Sequence, residues 1–298
     1  MQHLNPIKVL IGTLLLIMST VIFAQEKNYF VTSSDGVKIS VQETGNPNGQ
    51  PIIFIHGLLG SHLNWEKQVN HDQLQKYRLI TFDMRGHGFS DHPSEKESYT
   101  NGRLWADDLE AVIQQSHVQN PVLVGWSLGA AVITNYLAQY TDKAIRGVIY
   151  VGGVIELNAE QIPAHPKVYT DMTADDLKTH LDGENAFLRL CFHQQPDIAT
   201  FERLLSASAL ANFTMQRAVP TMSIPLEKGL KHTKKTILLI YGQYDTLVNP
   251  SASLQRALSV NPKVKFEIFK NSGHAPFFEE SELFNNHLEQ FIQSSQIK

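Results

Sequence analysis

From residue 29 onward, short apolar runs alternate with stretches whose apolar positions recur at helical spacing. "YFVTS" (29–33) and "VKISVQET" (37–44) flank the turn dipeptide Asp35-Gly36 and predict a β-hairpin. "PIIFIHG" (51–57), "YRLITFD" (77–83), "PVLVGW" (121–126) and "AIRGVIYVGG" (144–153) are apolar without alternation, the pattern of strands covered on both faces in a parallel sheet. Trp105, Leu109, Val112 and Ile113 mark a crossover helix over 102–117. The rhythm breaks over 154–235, where helical pieces such as "ADDLKTHLDGENAFLRLCFH" are interrupted by Pro163, Pro166, Pro196, Pro220 and Pro225. It resumes with "TILLIYG" (236–242), "VKFEIF" (264–269) and a last helix on Phe284, Leu288, Phe291 and Ile292. These elements predict a mostly parallel, eight-stranded α/β sheet flanked by helices. Residues 25–153 and 236–298 form the core, and 154–235 form a helical lid inserted after the sixth strand.

The segment ahead of this pattern is of another kind. Lys8 precedes the apolar stretch Val9–Ala24, which is shorter than the roughly 20 residues of a bilayer span and suits a signal peptide. Residues 1–24 are therefore expected to direct export to the periplasm or the medium, with an uncleaved membrane anchor as the alternative. At 298 residues and 42% hydrophobic the chain has material for one large core. A net charge of −4 and no basic run longer than "KHTKK" (231–235) argue against a nucleic-acid partner. The single Cys191 permits no internal disulfide and reads as a small buried hydrophobe. The 13 histidines show no metal-ligand spacing, so neither a metal nor another cofactor is expected.

The chemistry centres on Gly125-Trp126-Ser127-Leu128-Gly129, a G-x-S-x-G pentapeptide with a predicted strand before it and a helix after it. Glycines two residues either side remove side chains that would collide in a sharp turn, so the serine hydroxyl projects above the strand ends. A serine needs a base, and the base an orienting acid. Asp245, after the run ending at Tyr241, and His274, after "VKFEIF", each lie just past a predicted strand, where open α/β sheets collect ligands. The backbone N–H of Leu128, opening the helix, and that of Leu58, after Gly57 in "FIHGLLGS", are the candidate donors to an oxyanion. Glu156 is a second candidate acid.

The set "HGLLGS", "FDMRGHGFSD", "GWSLGAA", "YGQYDTLV" and "GHAPFFEE" resembles the α/β-hydrolase superfamily, in particular its lid-bearing serine esterases and lactonases. The resemblance covers roughly 28–153 and 236–298. It implies the α/β-hydrolase fold, with Ser127 as nucleophile, His274 as base, Asp245 as acid, and Leu58 and Leu128 as the oxyanion hole. Serine in place of the aspartate nucleophile used by the family's dehalogenases and epoxide hydrolases disfavours both of those activities. The expected partner is a small-molecule ester or lactone. Lactone hydrolysis and carbon–carbon bond hydrolysis use the same triad and are the rival reactions, and a slow or non-catalytic ligand-binding homologue is the rival class. His56, Gly57 and Trp126 are candidates for the pocket wall, with His56 expected to order the loop at Gly57 and Trp126 either walling the site or packing beneath it. Arg85 is expected to pair with a carboxylate, and His87 to be exposed. Phe187, Leu188, Phe192, Phe213, Met215 and Met222 read mainly as the lid's own core.

Overall fold

The computed structural model describes residues 26–295; the expected signal segment lies outside them. The strands are β1 (Lys27–Thr32), β2 (Lys38–Gly45), β3 (Pro51–Ile55), β4 (Arg78–Phe82), β5 (Val122–Trp126), β6 (Gly147–Val151), β7 (Thr236–Gly242) and β8 (Lys265–Phe269). They form one sheet in the order β1-β2-β4-β3-β5-β6-β7-β8. β1 and β2 pair antiparallel, as do β2 and β4, and every other pairing is parallel. The hairpin turns at Gly36, whose φ of +88° lies in the region open to glycine. The central strands β5 and β6 are buried at every position, which accounts for their unbroken apolar runs. At the edge, β8 is exposed over four of its five residues.

Helices cover the sheet. Gly102–Gln115 packs beside Leu128–Tyr140, and Ser281–Ser294 sets Phe284 against Trp65. The "FDMRGHGFSD" loop is pinned from within: buried Arg85 donates from Nε and Nη2 to Asp108 at 2.6 Å each and from Nη1 to Asp35 at 3.0 Å. His87, expected at the surface, is fully buried, with its ring against His56 and Trp105.

Between β6 and β7 the chain forms the helices Pro166–Asp171, Leu177–Leu190, Ile198–Ser208, Phe213–Ala218 and Leu226–Leu230. Their starts are written locally. Asp176, Asp197 and Asn212 each accept a hydrogen bond from the backbone N–H three residues on, and Pro166 occupies the first helical position, where no N–H is needed. The last of these helices packs on the core, its Gly229 against the Thr134 carbonyl of Leu128–Tyr140.

Candidate active site

Ser127 joins β5 to the helix Leu128–Tyr140 with φ +52° and ψ −113°, a strained conformation for a residue with a side chain. Its backbone is fixed on three sides: Ser127 N–H donates to Val151 O at 2.9 Å, and Ser127 O accepts from Ala130 and Val154 N–H. The flanking glycines are a steric requirement. A Cβ on Gly125 would lie 2.6 Å from Gly129 O, and one on Gly129 2.8 Å from His56 O.

His274 follows β8 and Asp245 follows β7. The His274 Nδ1 lies 2.8 Å from Asp245 Oδ2, so Nδ1–H donates to the carboxylate and Nε2 is left for chemistry. The other carboxylate oxygen accepts from Leu247 and Val248 N–H, each at 2.9 Å, which locks its orientation. Both side chains are buried. The His274 loop is held by its own N–H on Cys191 O at 3.1 Å and by its carbonyl, which accepts from Trp126 Nε1 at 2.8 Å. Gly152, after β6, was not singled out from the sequence. At φ +51° it lets the strand end approach the imidazole, where a Cβ would lie 2.9 Å from Nδ1. The "VGG" at 151–153 was its only signal.

Ser127, His274, Leu58 and Leu128 all line one cavity of about 400 Å³. Among the described residues, neither the Leu58 nor the Leu128 backbone N–H donates to a protein acceptor. Ser127 Oγ likewise makes no hydrogen bond within the described chain. The rest of the wall is mostly apolar, including Leu157, Met172, Phe187, Val219 and Leu247.

Several expected positions differ. His56, Gly57 and Trp126 do not line the cavity. His56 is fully buried; its Nε2 accepts from Met84 N–H at 2.9 Å and its Nδ1–H donates to Gly57 O at 2.7 Å, so it clamps the Leu58 loop from behind. Burial lowers its pKa to about 4, which keeps the ring neutral. Trp126 is spent on holding His274. Glu156 pairs with Arg256 at 2.8 Å and serves the surface between lid and core, not the imidazole. Of the lid residues, Phe187 reaches the cavity, Phe213 is partly exposed with its ring against His180, and Leu188, Phe192, Met215 and Met222 are buried away from it. The buried Cys191 thiol has its pKa raised by desolvation, which leaves it unreactive. Among the described residues no three His, Cys, Asp or Glu side chains are grouped to hold a metal ion, and no helix is long and apolar enough to cross a membrane.

The family model described as the alpha/beta hydrolase fold matches residues 50–281. Among solved structures, a Burkholderia cenocepacia protein provisionally named an aryl esterase is 57% identical, with a TM-score of 0.91 over 91% of this chain and 100% of its own. An esterase from Rhodococcus sp. ECU1013 is 28% identical, with a TM-score of 0.79 over 90% and 98%. The AB hydrolase superfamily protein YisY of Bacillus subtilis is 27% identical over 89% of this chain and 99% of its own.

Proposed function

The chain belongs to the α/β-hydrolase family, and from that premise we propose that it is a serine hydrolase of carboxylic esters acting through an acyl-enzyme. One observation carries the reading: a strained, glycine-flanked Ser127 and an Asp245-oriented His274 open onto the same apolar cavity. Ser127 Oγ attacks the ester carbonyl while His274 Nε2 takes its proton. The N–H groups of Leu58 and Leu128 hold the tetrahedral oxyanion, each such donor being worth about 10²–10³ in rate. His274 then protonates the departing alcohol and activates the water that cleaves the acyl-enzyme. Asp245 keeps the imidazole in the working tautomer and stabilises its cation. The cavity, about 400 Å³ and mostly apolar, suits a small or medium acyl group. The esterase relatives support hydrolase activity. The segment Val9–Ala24 supports a place in the periplasm or outside the cell.

The test is a p-nitrophenyl ester series run beside a lactone panel. Ester turnover with an initial burst of one p-nitrophenol per enzyme is expected. Turnover of lactones alone would replace the ester reading, and turnover of neither would favour a ligand-binding homologue.

A further inference from the structure

The two edges of the sheet are finished differently. At the β1 edge the Gln115 side chain lies over the strand: its Nε2 donates to Thr32 O at 2.7 Å and its Oε1 accepts from Thr32 N–H at 3.0 Å. A cover of this kind keeps an open strand from adding to another chain. At the opposite edge β8 is bare, with Lys265, Phe266, Glu267 and Ile268 all exposed. Among the described residues the side chains of Lys265 and Glu267 make neither a hydrogen bond nor an ion pair.

The direction of the free backbone groups follows from the pairing with β7. Gln243 N–H donates to Phe269 O at 2.8 Å, so Phe269 turns its backbone groups toward β7, and by the two-residue repeat of a strand so do Glu267 and Lys265. The N–H and C=O groups of Phe266 and Ile268 therefore point outward, and neither N–H donates to an acceptor among the described residues. The side chains alternate as well: Phe266 and Ile268 share one face of the sheet, Lys265 and Glu267 the other.

A second copy of this edge, laid antiparallel about a two-fold axis, meets the outward groups with its own only if the axis falls on a residue and not between two. An axis on Lys265 or on Glu267 sets like charges face to face, and one on Ile268 sets Glu267 against Phe269. An axis on Phe266 sets Lys265 opposite Glu267 twice over and Phe266 opposite Phe266. The two charge pairs then fall at the positions of an antiparallel ladder where side chains come closest. An edge lysine ordinarily discourages pairing; here its counter-charge stands two residues away and meets it when the partner is the same strand. We propose that β8 pairs with β8 of a second copy in this register, joining the two sheets into one. Four exposed residues of one strand make a small interface, so the association is reversible and rises with concentration.

Sedimentation of the protein over about two decades of concentration tests it, and wild type should pass from monomer to dimer. Lys265→Glu turns both attractive pairs into repulsive ones and should raise the dimer dissociation constant about tenfold or more. The charge-exchanged double variant Lys265→Glu/Glu267→Lys restores both pairs and should return the constant to within about threefold of wild type. Both positions are exposed, so the fold should tolerate each change, which circular dichroism checks. Amide exchange gives a second reading: the Phe266 and Ile268 N–H groups should exchange more slowly as the dimer forms. A wild type that stays monomeric throughout overturns the proposal. So does a dimer indifferent to Lys265→Glu, or one that Lys265→Glu weakens and the exchanged pair does not restore.

Discussion

On the sheet side of the cavity, Ser127, Leu128, Leu58 and His274 are set by strand ends, glycine contacts and hydrogen bonds from buried neighbours. On the lid side, Leu157, Met172, Phe187 and Val219 come from capped helices and loops and meet the cavity mainly with side-chain volume. The first half needs particular residues, because a strained turn and a hydrogen-bonded carboxylate admit few substitutes. The second needs mainly apolar groups of suitable size. The halves are nonetheless tied together. Cys191 O accepts from His274 N–H, Gln194 N–H donates to Glu279 at 2.7 Å, and Gln194 Nε2 donates to Asn271 O at 2.9 Å, so the end of Leu177–Leu190 is bonded to the loop that carries the imidazole.

Substitutions that break the sheet side should therefore cost most. His274→Ala should lower kcat about 10⁴-fold or more with the thermal transition preserved, read by ester turnover and circular dichroism. A loss of less than tenfold would remove His274 from the triad. Arg85→Met leaves the Asp108 carboxylate buried without its bidentate partner and should destabilise the fold by about 3–5 kcal/mol, read as a lower urea midpoint at unchanged slope.

The His56 clamp behind the Leu58 loop makes a pH prediction. His56 has a folded-state pKa of about 4, below the ordinary value near 6.5, so the unfolded chain binds the proton first as pH falls. Its contribution is complete above about pH 6.5 and is lost progressively towards pH 4, amounting to about 3 kcal/mol at most. His87, also lowered by burial, acts in the same direction. Urea midpoints at pH 7.5 and 4.5 should separate accordingly, and His56→Asn should narrow the gap; an equal gap in both proteins would show that His56 does not carry it.

On the lid side the effects should be smaller and selective. Leu157 is partly exposed at the cavity mouth, and Leu157→Ala should reduce the preference for longer over shorter acyl chains by about three- to tenfold with little change in melting temperature. A uniform loss across the series would assign Leu157 to the lid's stability.

How far the sequence could be read follows the same division. β3, β5, β6 and β7 announced themselves as unbroken apolar runs because they are buried on both faces, and Ser127, Asp245 and His274 because each sits just past a strand end in a fixed chain order. His87 was placed at the surface and is buried, and for His56 and Trp126 the sequence left the choice open between facing the cavity and supporting it from behind; only the partners Met84, His274 and Trp105 decide. Gln216 was not foreseen. A glutamine in an amphipathic stretch carries no sign of burial, and its contacts with His180 and Glu184 on a different helix show only in the structure.

The central claim is that Ser127 is the nucleophile, and active-site labelling with a fluorophosphonate, read by mass spectrometry of the peptide containing residues 121–132, tests it most directly. The account predicts one adduct per chain on Ser127 in wild type and none in Ser127→Ala. Equal labelling of the two proteins, or an adduct on another residue of wild type, would contradict it.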